Sequence, residues 1–234
     1  THDLVVAYKI NVAFYEVRGS KGWKELEETV RYIKKHYPDI LVIADAKRGD
    51  IGNTARMYAK AFFETLGVGA VTVNPYMGGE TLTPYVAYTD KWTIVLGVTS
   101  NNGSRDFQKP LLQSDGKPLY SKVLSTASSY GSSKNMMFVI GATQPDLLAS
   151  IRKEYPEHFF LVPGVGSQGG TIKEVAEAGM TRNCRLLINQ SRSVIYAIDS
   201  DEYALWPRSR FAEAARKVAE ASKSEMEKVL LGAA

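Results

Sequence analysis

Short runs of apolar, largely β-branched residues recur along the chain, at Leu4 to Ile10, Ile40 to Ala44, Ala70 to Val73, Thr93 to Val98, Met137 to Ile140, Phe159 to Val162 and Arg185 to Ile188. Apolar runs this short, with little polar alternation, read as strands buried on both faces, the signature of a parallel sheet. Between them the pattern changes to a helical period. Trp23 to Tyr37 places Leu26, Val30 and Ile33 on one face, and Tyr58 to Leu66, Leu82 to Tyr88, Leu119 to Tyr130, Pro145 to Tyr155 and Ile172 to Ala178 read similarly. Ser209 to Leu231 is the longest such stretch. Strand alternating with helix predicts parallel strands joined by right-handed crossovers, in either a barrel or a doubly wound sheet.

The polar positions decide between the two. They gather at the carboxyl end of nearly every strand: Lys9 and Asn11, Asp45 and Lys47, Asn74, Thr99 and Ser100, Thr143 and Gln144, Gln168, and Ser191 with Arg192. A doubly wound sheet concentrates its site at one switch point, whereas a (β/α)8 TIM barrel draws on all the loops of one face. The expected fold class is therefore α/β, a (β/α)8 TIM barrel forming a single domain over residues 1–234. A closed barrel of this class needs eight strands and the pattern supplies seven, so the first strand is expected to be missing from this chain, an N-terminally incomplete domain.

The most chemically loaded strand end is Val42 to Asn53, which delivers Asp45, Lys47 and Asp50 after an apolar run. In an extended chain Asp45 and Lys47 project to the same side, and a turn at Arg48-Gly49 is expected to bring Asp50 back toward them. Such a trio is either a structural ion-pair cluster or a site that uses its charges on a substrate.

A second feature, Pro163-Gly164-Val165-Gly166-Ser167-Gln168-Gly169-Gly170, follows a strand and opens a helix. Glycine-freed amides there are expected to converge on an anion. The spacing satisfies G-x-G-x-x-G, but a dinucleotide fingerprint expects an acidic residue about twenty positions on, where this chain has Asn189-Gln190. The position suits instead the phosphate site that barrels build after their last two strands, with Arg192 gripping phosphate oxygens.

Composition removes other classes. Forty-four per cent apolar residues suit an ordinary globular core, and no apolar run approaches a membrane span. A soluble, cytoplasmic protein is the expectation. Cys184 stands alone, so no internal disulfide forms, and it reads as a small buried side chain. The net charge of +4 comes from 29 basic residues scattered among 25 acidic ones, without the basic stripe a nucleic-acid binder needs. The three histidines form no metal-ligand cluster, and no nucleophile elbow or Ser/His pair is evident.

Together, Asp45-Ala-Lys47-Arg-Gly-Asp50-Ile-Gly-Asn-Thr54, the Lys9-x-Asn11 strand end, the Thr99-Ser100-Asn101 loop, the Pro163 to Gly170 turn and Ser191-Arg192 resemble the orotidine 5′-phosphate decarboxylase family, in order and across essentially the whole chain. The resemblance implies a (β/α)8 barrel acting as a homodimer without cofactor or metal, which converts orotidine 5′-phosphate to uridine 5′-phosphate. It implies Lys47 as proton donor and Asp45 beside the substrate carboxylate. Asp50, with Ile51 and Thr54, would reach the neighbouring subunit's site. Lys9 would contact the ribose and Asp45, Asn11 would line the same wall, and Ser100 would read the pyrimidine amide. Pro163 would pack near the ring, and Gly166, Gln168 and Arg192 would hold the phosphate. Gln190 departs from the family's usual serine. The alternatives are a related magnesium-dependent barrel lyase acting on a sugar phosphate, and a catalytically silent nucleotide-phosphate binding module. No partner beyond the substrate and a second copy, neither nucleic acid nor membrane, is expected.

Overall fold

Seven parallel strands, each rich in branched apolar side chains, alternate with helices in a computed structural model that describes residues 1–166 and 169–232. The chain divides into two compact units, residues 6–139, and residues 1–5 with the chain from 140 onward.

In the first unit the order is β1 (Ala7–Asn11), α1 (Ala13–Glu16), α2 (Gly19–His36), β2 (Leu41–Arg48), α3 (Gly52–Lys60), β3 (Ala70–Val73), α4 (Gly79–Val86), β4 (Trp92–Val98), α5 (Ser104–Phe107), α6 (Leu119–Ser128) and β5 (Met136–Ile140). The strands lie side by side in sequence order. Ile43, Val71, Val73, Ile94 and Phe138 are wholly enclosed, as two-sided burial of parallel strands requires. Leu26, Val30 and Ile33 are the buried face of α2, as their spacing predicts. The stretch read as one helix from Tyr58 to Leu66 changes character midway: α3 passes into a π-helical turn at Ala61–Leu66, and consecutive Phe62 and Phe63 are both buried there. Gly67, at φ +74°, ends it in a left-handed conformation suited to glycine.

Two strand boundaries depart from the sequence reading by more than one residue. β1 starts at Ala7 rather than Leu4, because Thr1 to Leu4 form a turn in which the Leu4 N–H donates to the Thr1 carbonyl. β2 runs on to Arg48, past the last purely apolar residue.

The second unit contains α7 (Pro145–Glu154), β6 (Phe159–Pro163), α8 (Ile172–Gly179), β7 (Leu186–Asn189), α9 (Arg192–Ile195) and α10 (Phe211–Gly232). β6 and β7 pair in parallel, from Phe160 opposite Leu186 to Pro163 opposite Asn189. Asp3 is held by the Arg216 guanidinium of α10 at 2.7 Å. Cys184, expected buried, is only half-buried, in a tight turn at φ +64°.

Arg152 is the structural centre of this unit. Its buried guanidinium donates to the carbonyls of Gly179 (2.7 Å), Tyr155 (2.9 Å), His158 (2.7 Å) and Arg185 (2.8 Å). It also stacks 3.6 Å from the Phe160 ring centroid. One side chain thus ties the ends of α7 and α8 to the starts of β6 and β7. Burial, helped by nearby Arg185, lowers its pKa to about 10, so it remains charged near neutrality. Arg152→Met is expected to lower the unfolding free energy by about 3–5 kcal/mol in urea titration, because several enclosed carbonyls lose their donor together. A loss under about 1 kcal/mol would contradict this role.

Candidate active site

Lys9 at the end of β1 and Asp45 near the end of β2 come together because the two strands pair in register, with Asn11 opposite Asp45. The Lys9 ammonium reaches Asp45 Oδ2 at 2.7 Å, and the Lys47 ammonium reaches Asp45 Oδ1 at 2.5 Å. Asp45 is 8% exposed and Lys9 15%, whereas Lys47 is 50% exposed, so the carboxylate is enclosed and one of its two cations still faces outward. Burial by itself raises the Asp45 carboxyl, but the Lys9 charge and the hydrogen bonds from both lysines outweigh it and hold the group below the ordinary carboxylate range. Asp45 is therefore ionised at neutral pH.

Plain strand alternation does not produce the Asp45–Lys47 contact. Between Ala44, opposite Val71, and Arg48, opposite Val73, β2 carries four steps against two on β3. The surplus forms a bulge with Lys47 at φ +46°, a left-handed conformation that costs a non-glycine residue about 1–2 kcal/mol. The Lys47 N–H, taken out of the ladder, donates to Thr72 Oγ1 at 2.9 Å, and the same hydroxyl donates to Asp45 Oδ1 at 3.0 Å. Arg48 anchors the far side of the bulge. Its guanidinium pairs with Glu16, donates to the Ala46 carbonyl at 3.1 Å and lies over the rings of Tyr58 and Phe62. Strain held by surrounding contacts is typical of functional sites.

Asp50 behaves differently from the expectation. No ion pair joins it to Lys47 among the described residues; its Oδ1 accepts the Ile51 N–H at 2.7 Å, and its own backbone is left-handed at φ +79°. Within this chain the trio is Lys9, Asp45 and Lys47. Ile51 and Thr54, at the start of α3, are both exposed. Asn11 accepts the Ala13 N–H through Oδ1 at 3.2 Å. Ser100 is half-buried in a loop braced by Thr99 and Gln108: the Thr99 N–H donates to Gln108 Oε1, and Gln108 Nε2 donates to Thr99 Oγ1, both at 2.8 Å.

The second unit carries the glycine turn. Pro163 closes β6 and is half-buried, and Gly164, Gly166 and Gly169 take φ of 101°, 81° and 91°, which only glycine adopts without strain. A side chain at Gly166 would lie 3.3 Å from Ser193 Oγ and 3.9 Å from Gln190 Nε2, so the turn sits against the segment that carries Arg192. Arg192 itself is exposed at the start of α9. Gln168 lies outside the described residues. The expectation of free amides needs correction: the N–H groups of Gly166, Gly169 and Gly170 donate to the carbonyls of Gly170, Gly166 and Gly164. Unusual φ values fold the loop back on itself before they offer donors to an anion. The helix that follows, α8, is closed by a capping box in which Thr171 accepts the Glu174 N–H and Glu174 accepts the Thr171 N–H.

Thr72 and Arg48 carry the site's geometry, and sequence reasoning singled out neither. Thr72 is the one polar residue of the run Ala70 to Val73, and a hydroxyl in an otherwise apolar buried strand is the signal that marks it. Arg48 stands inside the charged motif, and only the bulge shows that it points away from Lys47's partners.

A paired lysine and aspartate at the carboxyl end of a parallel strand, with a glycine-turn unit beside a basic strand end, is the architecture of a phosphate-ester enzyme of the β/α-barrel class. Residues 1–204 match the profile of the Orotidine 5′-phosphate decarboxylase / HUMPS family, and the chain belongs to that family. An orotidine 5′-phosphate decarboxylase of Christiangramia forsetii is 53% identical over 226 residues, 97% of this chain and 79% of the relative. One of Bacteroides fragilis is 48% identical over 224 residues, 96% of this chain and 81% of the relative. The structure of Leishmania donovani OMP decarboxylase superposes with a TM-score of 0.82 at 35% identity, covering 99% of this chain and 84% of that one. The fold class read from the hydrophobic pattern, the (β/α)8 barrel, is thereby assigned.

Proposed function

We propose that this chain decarboxylates orotidine 5′-phosphate to uridine 5′-phosphate, a carboxy-lyase step of pyrimidine synthesis, with Lys47 as the proton donor. The single observation that carries the residue assignment is the Lys9–Asp45–Lys47 chain of contacts at the strand ends. Breaking the bond from C6 to the carboxylate leaves an electron pair in an in-plane orbital that the pyrimidine ring delocalises poorly. An ammonium group waiting at that position stabilises the developing charge and then gives up a proton to C6. Asp45 holds the Lys47 ammonium in place through the 2.5 Å contact with its Oδ1. Asp45 also places a negative charge where the substrate carboxylate would sit, which disfavours the ground state. Lys9 and Asn11 contact the ribose side, Ser100 the pyrimidine amide and Pro163 the ring. Gly166, Gln168 and Arg192 bind the phosphate, whose remote binding energy holds the reacting atoms in position.

Family membership alone leaves room for the sugar-phosphate lyases, which use magnesium. Identities near 50% over most of both chains to proteins named orotidine 5′-phosphate decarboxylase favour the nucleotide substrate. The test is loss of orotidine 5′-phosphate absorbance with the purified chain, with and without a chelator. Turnover unaffected by the chelator is expected, and no loss of orotidine 5′-phosphate together with magnesium-dependent cleavage of a sugar phosphate supports the sugar-phosphate reading. Binding of uridine 5′-phosphate without decarboxylation supports a silent binding module.

The proposal includes a homodimer in which Asp50, Ile51 and Thr54 reach the neighbouring site. Asp50 without an ion-pair partner among the described residues, beside exposed Ile51, Met57 and Tyr58, supports it. Two inactive variants, Lys47→Ala and Asp50→Ala, are then expected to recover about a quarter of wild-type activity when refolded together, since each mixed dimer regains one intact site. No recovery on mixing would contradict a shared site. A cytoplasmic location is likewise part of the proposal, resting on a charged phosphate ester as substrate; no described helix is long and apolar enough to cross a membrane.

A further inference from the structure

We propose that the Thr72 hydroxyl is a positioning group for the decarboxylation, fixing both ends of Lys47 through one oxygen atom; this rests on the reading of Lys47 given above. The contacts form a closed circuit. The Lys47 N–H donates to Thr72 Oγ1 at 2.9 Å, Thr72 Oγ1 donates to Asp45 Oδ1 at 3.0 Å, and the Lys47 ammonium donates to that same Oδ1 at 2.5 Å. A hydroxyl has one proton and two lone pairs, so a single oxygen can serve the backbone amide and the carboxylate at once, and a methyl of equal size can do neither. The residue is 1% exposed, so water does not stand in for either contact.

The circuit answers a need created by the bulge. Lys47 sits at φ +46°, off the β2–β3 ladder, and its amide has no strand carbonyl to meet. Thr72, between the paired residues Val71 and Val73, takes that amide and passes the constraint to Asp45. The rotamer of Asp45 and the backbone of Lys47 therefore move together or not at all. Misplacing a reacting group by about 1 Å from such a change costs on the order of 10²-fold in rate.

The test compares Thr72→Val with Thr72→Ser. Valine keeps the shape and removes the hydroxyl; kcat is expected to fall by about 30- to 100-fold while the dissociation constant for uridine 5′-phosphate stays within about threefold. Serine keeps the hydroxyl and is expected to hold kcat within about threefold of wild type. Valine with near wild-type kcat, or serine as impaired as valine, would overturn the proposal, as would equal losses in kcat and nucleotide affinity. If valine does not fold, Thr72→Ala read against serine in the same two measurements carries the comparison. Failure of wild type to turn over orotidine 5′-phosphate would refute the functional reading instead, so the two failures are separable.

Discussion

Lys47→Ala is expected to abolish turnover of orotidine 5′-phosphate, lowering kcat by at least about 10⁴-fold, while uridine 5′-phosphate still binds measurably. The variant removes the proton donor and the charge that stabilises the carbanion together, and each alone contributes on the order of 10² to 10⁴. It does not strand Asp45, because Lys9 remains 2.7 Å from the other carboxylate oxygen and Thr72 still donates to Oδ1. The fold is therefore expected to survive, and a left-handed alanine is strained no more than a left-handed lysine. Stopped-flow or steady-state absorbance gives kcat, and calorimetry with the product gives affinity. Near-normal turnover would remove Lys47 from the chemistry.

The strand order and the residues of this pair were legible because burial on both faces writes itself into sequence as uninterrupted apolar runs. Ala70 to Val73 was bounded correctly, and β4 to β7 differ from their sequence limits by a residue or two at an end. Asp45 and Lys47 stood out because ionised groups after such a run need a reason. What was not legible is the backbone path between them. Alternation places Asp45 and Lys47 on one side, but the observed contact comes from a bulge and a left-handed lysine, and nothing in Ala44 to Arg48 announces a φ of +46°. Asp50, which the turn at Arg48-Gly49 was expected to bring back toward Lys47, instead accepts the Ile51 N–H, and no ion pair joins it to Lys47 among the described residues. Long-range partners were also hidden: Thr72 is 27 residues from Asp45, and Arg152 serves carbonyls up to 33 residues away. In sequence a buried arginine on a helix resembles a solvated one until the carbonyls it meets are known. The glycine turn shows the converse case, where the glycines marked a tight turn after β6 and the internal hydrogen bonds of their amides were not legible.

Arg192→Ala is expected to lower kcat/KM for orotidine 5′-phosphate by about 10²- to 10³-fold and to leave the bare nucleoside orotidine, itself a poor substrate, changed by less than about threefold. A guanidinium on a phosphate forms charge-assisted, commonly bidentate hydrogen bonds, whose truncation costs several kcal/mol when the phosphate is present and nothing when it is absent. Part of the loss is expected in kcat, since binding energy from the phosphate is used to hold the reacting atoms. Arg192 is exposed and opens a four-residue helix whose neighbour Ser193 lies against Gly166, so its removal leaves the core of its unit intact. Equal losses with and without the phosphate would contradict a phosphate role.

The most direct measurement is a crystal structure of the chain with uridine 5′-phosphate bound. The Lys47 ammonium is expected within about 3–3.5 Å of C6, the near-attack distance for proton transfer, and the phosphate on Arg192 and the Gly164 to Gly170 turn. A nucleotide bound with C6 facing away from Lys47, or with its phosphate elsewhere, would contradict the assignment of Lys47 as the group that protonates the product.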